Sequence, residues 1–288
     1  MIISNNNSGL CNRIKCWASS VRIDANCFVD WPQSTNVRYK DISYPSFDAL
    51  FENKNFIESN VSFTKRTIYD RPDDIFKKGI DYSQNTLKYY RSPYLAVLPQ
   101  DNVSRDFIKN GFSEKTIIDH QYNRTPENVK EAYLKIFNKI KIKNNIVEKA
   151  NYFIDKEIKN KKLVTVHVRS FCDSLDRKKK WYDIQNFVNK MKDVDDDGVQ
   201  FFIAVDDFKI IDDFKCVFKD KIVYYPKEKD PAIDMGSYNS QVEALIDLLI
   251  LGRGNIFLAT ETSTFSEVAW WLGGCKSAVY KIGNIIYE

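Results

Sequence analysis

Five short apolar segments in the second half of the chain alternate with segments of helical spacing. This alternation constrains the fold more than any other feature. The predicted strands are 163–168, 200–205, 222–225, 255–259 and 277–281. The predicted helices between them are 182–192, 208–214, 240–251 and 264–271. Strands separated by helices of this length form a parallel sheet with right-handed crossovers, so the sequence predicts an α/β fold.

A similar unit opens the chain. Residues 1–4 read as a minimal strand, a polar turn follows at 5–9, and residues 10–23 carry apolar side chains at helical spacing. A helix that starts behind such a loop presents free N–H groups to an anion, together with the side chains of Asn12 and Arg13. The glycine pattern of dinucleotide-binding loops is missing, so a dinucleotide is not expected.

The middle of the chain predicts a boundary between two domains. Residues 52–119 show mixed signals and suggest a loop-rich, substrate-facing part of the first domain, whereas 125–161 read as two helices. The charged stretch 159–162 then marks the expected boundary. We expect an amino-terminal domain over 1–160 and a carboxyl-terminal domain over 161–288, facing each other across a cleft.

Composition excludes several classes of function. The net charge is only +4 and the basic residues are scattered, so a nucleic-acid-binding face is not expected. The six cysteines form no CxxC pair and there are two histidines, which gives no usual zinc pattern and favours reduced thiols. The sequence has no signal peptide and no apolar run of membrane-spanning length. A cytoplasmic protein is the expectation, although a chain trimmed of an anchor would look the same.

The apolar strand 163–168 ends at Arg169, and other polar residues end neighbouring elements. A cation at the carboxyl end of a buried strand faces the crevice where open α/β sheets bind ligands; pairing with a surface carboxylate is the alternative. Asp206 follows strand 200–205 and could contact a ligand or cap the next helix. The segment 260–266 is rich in Ser and Thr at a helix start, which suits either phosphate binding or capping.

Asp247 lies in an otherwise almost wholly apolar helix, where an unpaired charge would be unstable by several kcal/mol. Its carboxylate could accept the N1–H and N2 amino group of guanine, or it could pair with a neighbouring lysine. The acidic run 193–197, by contrast, predicts no metal site. It lacks the glutamate that a calcium loop needs at its twelfth position, which is Ala204, and it precedes a strand instead of following one.

Several motifs together resemble the fucosyltransferases of the nodulation-protein-Z type. They are also similar to the related α1,2-, α1,6- and protein O-fucosyltransferases. The motifs are GLCNRI, FVDWP with PSFDALFE, VTVHVRS, FFIAVDD and ALIDLLILGRGNIFLATETSTFSEVAWWLGG. They span residues 1–52 and 163–274, while 53–160 carries no such likeness. Each motif is weak alone, but their order and spacing are fairly specific.

The resemblance implies a GT-B architecture, two Rossmann-like domains with the GDP-fucose donor held mainly by the second. It also implies an inverting, metal-independent transfer to a glycan hydroxyl that needs no cofactor. By motif, Arg169 would hold the diphosphate with His167 in support, Asp247 would read guanine, and Ser263 and Thr264 would bind phosphate oxygens. Asn12 and Arg13 match the first-domain loop that faces the donor.

The chain departs from the family pattern at two points. Ser170 stands where many relatives have a second basic residue, and the acidic residue beyond the arginine could be Asp173 or Asp176. Either carboxylate would suit the general base that deprotonates the acceptor. Two alternatives remain open: a transferase for another GDP-sugar, and a non-catalytic nucleotide- or glycan-binding module.

Overall fold

The computed structural model describes most of the chain and divides it into two compact units, Met1–Lys143 and Asn144–Glu288. The described residues are 1–32, 34–37, 40–53, 63–103, 118–159, 162–170, 183–229, 234 and 236–283. Of residues 34–37 and 40–42 the backbone alone is described. The expected domain boundary at 159–162 lies one helix further along the chain than this division.

The first unit is built on a four-stranded parallel sheet. Its strands are β1 (Ile2–Ser4), β2 (Cys27–Val29), β5 (Lys65–Tyr69) and β6 (Thr86–Tyr90), in the order β2-β1-β6-β5. An antiparallel pair, β3 (Ser34–Val37) and β4 (Lys40–Ser43), lies outside this sheet. The described part of the predicted loop-rich segment 52–119 therefore contains two strands, β5 and β6. The sequence did not predict β6 because Lys88 and two tyrosines interrupt the apolar pattern of TLKYY. In the structure Thr86, Lys88 and Tyr90 are nevertheless buried.

Within the described residues of this unit, four α-helices accompany the sheet: α1 (Leu10–Ile23), α2 (Phe47–Leu50), α3 (Asp73–Lys78) and α4 (Glu127–Phe137). Helix α1 forms where the sequence predicts it, because its apolar residues recur on one face, and Cys16 and Ile23 pack with Ile2, Tyr69 and Tyr90. Burial raises the pKa of the Cys16 thiol to about 12, so this cysteine is a protonated, apolar core residue.

The second unit is a five-stranded parallel sheet with its helices. The strands are β7 (Lys162–Val168), β8 (Val199–Val205), β9 (Ile222–Val223), β10 (Ile256–Thr260) and β11 (Ala278–Ile282). The helices are α5 (Asn144–Glu157), α6 (Ile184–Val194), α7 (Lys209–Phe218), α8 (Tyr238–Leu251) and α9 (Thr264–Leu272). All five strands are the predicted ones, shifted by one or two residues at their ends. The core between the sheet and its helices is aliphatic and aromatic.

The order of these strands, β11-β10-β7-β8-β9, places a topological switch point between β7 and β10. From β7 the chain builds the sheet outwards through β8 and β9, then returns to β10 on the other side of β7. Open parallel sheets bind ligands outside the carboxyl ends of strands at such a point. The α/β class with two parallel sheets, predicted from the sequence, is thereby confirmed.

Helices α8 and α9 end against each other, backbone to backbone. A Cβ on Gly252, which follows α8, would lie 2.9 Å from the Cα of Gly273, which follows α9. A Cβ on Gly273 would overlap the carbonyl oxygen of Gly252. No side chain larger than hydrogen fits at either residue while the helices keep this approach.

No helix in the described part of the chain is long and apolar enough to cross a bilayer.

Candidate functional site

Arg169 lies at the switch point, immediately after β7. Its main-chain N–H donates to Oγ1 of Thr260, the last residue of β10, at 2.9 Å. The same hydroxyl donates to the carbonyl of His167 at 2.7 Å. The Arg169 side chain is 31% exposed, and its Nε lies 3.8 Å from Oδ2 of Asp206. Because this contact is long, the guanidinium can still turn its N–H groups towards an anion.

Asp206 follows β8 and orders the residues after β7. Its Oδ1 accepts hydrogen bonds from the N–H and from the hydroxyl of Ser170, at 2.8 and 2.7 Å. Ser170 is 8% exposed. Both the main chain and the side chain of Ser170 are therefore held by one carboxylate oxygen of Asp206. At the carboxyl edge of the sheet, Asp206 therefore contacts Ser170 and Arg169. Its predicted contact with a ligand stays a prediction.

His167, near the end of β7, is enclosed by the first turn of α9. Its Nδ1 lies 2.7 Å from the Ser266 hydroxyl, and its ring stacks on Phe265 at 4.8 Å between centroids. Burial lowers the pKa of His167 to about 3, with smaller contributions from the positive charges of Arg169 and Lys227. The imidazole is therefore neutral at physiological pH and acts as a hydrogen-bonding group, not as a cation.

The start of α9 offers main-chain donors at the same edge of the sheet. Ser263 is the N-cap residue and is 7% exposed; its carbonyl accepts from Glu267, but its side chain makes no capping bond within the described structure. Thr262, just before it, has φ +57°, which is unusual for a β-branched residue, and its buried Oγ1 has no described hydrogen-bond partner. Backbone in such a conformation at a helix start is typical of binding loops. Thr264 begins the helix itself, half-buried.

Asp247, in the middle of α8, has the lysine partner that the sequence left open as an alternative. Nζ of Lys227 lies 2.6 Å from Asp247 Oδ2, and the two side chains are 9% and 2% exposed. Lys227 also lies 3.4 Å from the carbonyl of Val205, at the carboxyl end of β8. The second carboxylate oxygen, Oδ1, is buried and has no hydrogen-bond partner among the described residues. Burial raises the pKa of Asp247, and the Lys227 charge opposes that shift.

Asn12 and Arg13 belong to the first unit and are placed at the start of α1. Arg13 is 1% exposed; its Nε donates to the Ser8 carbonyl at 2.6 Å and its Nη2 to the Pro32 carbonyl at 2.9 Å. Its guanidinium carbon lies 4.5 Å from the Tyr44 ring centroid. Arg13 therefore holds the loop after β1 through Nε and Nη2. A ligand could bind only to an N–H group of the guanidinium that these two bonds do not engage. The Asn12 Oδ1 is buried without a described partner. A binding role for either residue stays a prediction.

The two candidate bases, Asp173 and Asp176, lie outside the described residues. The acidic run 193–197, for which no metal was predicted, begins in the last turn of α6 and continues through the turn before β8. Asp195 lies 2.6 Å from Nζ of Lys221, and Asp196 pairs with Lys162. The absence of a metal at this run stays a prediction.

The sequence marked Thr260 and Ser266 only as members of the Ser- and Thr-rich segment 260–266, and it gave no sign of Lys227. Thr260 is the last residue of β10 and Ser266 lies in the first turn of α9, and both are fully buried. Lys227 lies in a loop twenty positions before Asp247, and no spacing rule links the two residues.

Comparison with known proteins adds a likeness of fold. No family model matches the chain, and no curated protein matches it in sequence. Among solved structures, fucosyltransferase NodZ from Bradyrhizobium is similar over 93% of this chain and 91% of its own, with a TM-score of 0.57 and 19% identity. A NodZ α-1,6-fucosyltransferase soaked with GDP-fucose is similar over 94% and 91%, with a TM-score of 0.57 and 18% identity.

POFUT1 in complex with GDP-fucose is similar over 99% of this chain and 98% of its own, with a TM-score of 0.53 and 14% identity. At these identities the likeness establishes the fold, which is that of the GT-B fucosyltransferases. The resemblance that the sequence motifs indicated is thereby confirmed at the level of fold.

Proposed function

We propose that the protein is a fucosyltransferase that moves fucose from GDP-fucose to a glycan hydroxyl, with inversion and without a metal. The observation that carries this proposal is the placement of Arg169 at the switch point of the second sheet, bonded to Thr260 at the end of β10, just before the loop that leads into α9. The fold is shared with transferases whose structures hold GDP or GDP-fucose. The donor is assigned to the carboxyl-terminal part, 161–288, and the acceptor to the amino-terminal part, 1–160.

The diphosphate is assigned to Arg169, Ser263 and Thr264. As the bond from the sugar C1 to the phosphate oxygen breaks, negative charge grows on the departing GDP. A guanidinium and the free N–H groups of a helix start stabilise that charge without reorganising, because they are already oriented. Two such donors at one edge of the sheet could replace the divalent cation that other transferases use to neutralise a diphosphate. The neutral His167 completes this edge and orients the start of α9 through Ser266.

Guanine is assigned to Asp247. Lys227 uses Oδ2, so Oδ1 is an unpaired buried acceptor, and an unpaired acceptor is unfavourable by about 1–3 kcal/mol. Guanine supplies N–H donors at N1 and N2, whereas adenine presents an acceptor at N1. A carboxylate with one open oxygen therefore favours guanine over adenine.

Inversion requires that the acceptor hydroxyl attack C1 from the side opposite to GDP. The attacking hydroxyl loses its proton to a base, which we assign to Asp173 or Asp176. Asp206 is assigned to the same edge of the donor site, where it holds Ser170. Asn12 and Arg13 are assigned to the first-unit loop that serves the donor.

Calorimetry with GDP, UDP and ADP, followed by an assay of GDP-fucose hydrolysis, tests the proposal. The expected result is binding of GDP in clear preference to UDP and ADP, and slow release of fucose from GDP-fucose. GDP-mannose in the same assay serves as the control for the sugar. Preference for UDP or ADP would contradict the guanine assignment, and GDP binding without any hydrolysis or transfer would identify a binding module instead.

A further inference from the structure

Thr260 joins the two strands of the switch point where their main-chain pairing stops. The register of β7 and β10 runs from Val164 opposite Ile256 to His167 opposite Ala259. One residue further, the Thr260 side chain connects the two strands: its hydroxyl accepts a hydrogen bond from the Arg169 N–H at 2.9 Å and donates one to the His167 carbonyl at 2.7 Å. Thr260 is fully buried.

Both bonds have a defined direction. A main-chain N–H can only donate and a carbonyl can only accept, so the hydroxyl proton points to His167 and a lone pair to Arg169. The hydroxyl thus holds the main chain on either side of Val168. Because the Arg169 N–H is one of the bonded groups, the hydroxyl also fixes the position of the Arg169 Cα, from which the side chain extends. Asp206 restrains the next residue, Ser170, so Arg169 is fixed from both sides.

We propose that Thr260 is a positioning residue for Arg169: its hydroxyl sets the main chain from which the guanidinium reaches the leaving diphosphate. This inference rests on the proposed function. Thr260 need not touch the substrate, because its effect passes through Arg169. Displacing a transition-state contact by about 1 Å can reduce turnover roughly 10²-fold. Loss of the Thr260 hydroxyl should therefore lower turnover more than the loss of one hydrogen bond lowers the free energy of unfolding.

The same sheet contains a matched control. Thr165 in β7 is also fully buried, and its Oγ1 donates to the Leu251 carbonyl at 3.0 Å. Replacing either threonine by valine keeps the shape and removes one hydroxyl hydrogen bond to a carbonyl, although the Leu251 carbonyl keeps the N–H of Gly254 at 3.3 Å. Only Thr260→Val also releases the N–H of Arg169. A purely structural role predicts the same outcome for both variants.

The experiment compares Thr260→Val, Thr260→Ser and Thr165→Val by melting temperature, by GDP affinity and by kcat and KM for GDP-fucose hydrolysis. We expect Thr260→Val to lower kcat about 10- to 100-fold with a smaller change in KM. Thr165→Val should melt lower to a similar extent and keep kcat within about twofold. Thr260→Ser, which retains the hydroxyl, should recover kcat to within about threefold of wild type.

Equal kcat in Thr260→Val and Thr165→Val, with an active wild type, would overturn the role of Thr260 alone. A wild-type protein that neither binds GDP nor hydrolyses GDP-fucose would overturn the proposed function and this role with it. If Thr260→Val does not fold, Thr260→Cys replaces it. A thiol hydrogen-bonds weakly, so Cys should be clearly slower than Ser, and equal rates for the two would refute the proposal.

Discussion

Lys227 and Asp247 form a buried ion pair, with 2.6 Å between Nζ and Oδ2 and side chains that are 9% and 2% exposed. Removing one partner of such a pair leaves an uncompensated buried charge, which destabilises by about 3–5 kcal/mol, whereas replacing both with apolar residues is often neutral. Variants of this pair can therefore separate the structural role of Asp247 from the guanine recognition proposed for it.

Asp247→Asn is nearly isosteric, but we expect it to lower the melting temperature clearly because the Lys227 ammonium loses its counter-charge. The double variant Lys227→Met/Asp247→Leu should recover most of that loss. Thermal melts of the wild type, Asp247→Asn and the double variant measure the effect. A melting temperature of Asp247→Asn equal to that of wild type would contradict the buried pair.

Base reading is tested on the same variants with GDP and IDP, which lacks the N2 amino group. Wild type should prefer GDP by about 1–3 kcal/mol, because IDP keeps the N1–H but loses the hydrogen bond that the N2 amino group would donate to the charged carboxylate. The stable double variant should bind GDP more weakly and show almost no preference. If it keeps the preference, Asp247 does not contact the base.

Arg169→Ala should reduce turnover roughly 10²–10³-fold, corresponding to about 3–4 kcal/mol of transition-state stabilisation. Arg169→Lys should recover little, because the planar fork that binds two phosphate oxygens is lost. Single-turnover rates of GDP-fucose hydrolysis measure both variants, with Arg253→Lys on the exposed turn after α8 as the control. A near-wild-type rate for the alanine variant would remove Arg169 from the diphosphate site.

Activity should survive EDTA, because a guanidinium and helix-start donors can neutralise the diphosphate. The test is the rate of transfer or hydrolysis before and after chelation, and again after adding Mg²⁺ or Mn²⁺. A loss of activity that either ion restores would show that a cation takes part in leaving-group departure.

His167 should make folding stability depend on pH. Its folded pKa is about 3, against an ordinary value of 6.5, so between these values the unfolded chain binds a proton that the folded protein does not. Stability from this group is full above pH 6.5 and falls as the pH drops towards 3, by up to about 1.4 kcal/mol per pH unit. Melts of wild type and His167→Gln from pH 4 to 7 should show a shallower slope for the variant. Parallel slopes would contradict the buried, neutral imidazole.

The sequence predicted the second sheet well because its strands are short, mostly apolar runs between helices. Strands β7 and β8 are buried almost throughout, while β11 at the edge is partly exposed. It also predicted that Arg169 and the start of α9 would lie at one sheet edge, since carboxyl ends of parallel strands meet. Strand β6 was missed because Lys88 and Tyr90 are buried through specific hydrogen bonds, to the Asp81 and Tyr94 carbonyls, which composition does not reveal.

The contacts that orient the site were less predictable. Lys227 reaches Asp247 from a loop, and Thr260 reaches Arg169 across 91 residues of chain. Such pairs depend on how strands are ordered in the sheet, and the spacing of hydrophobic residues does not predict strand order. The sequence could name a charged residue that needed a partner, but it could not choose the partner.

The close approach of Gly252 and Gly273 has a consequence for anyone who surveys random variants of this protein. An added methyl group at either glycine would push α8 and α9 apart, and α9 carries Ser263 and Thr264 at its other end, about two and a half turns away. Inactivating substitutions should therefore cluster at these glycines as well as around Arg169. Some of them should be temperature-sensitive, giving folded protein at low temperature in which the start of α9, the proposed phosphate site, is displaced.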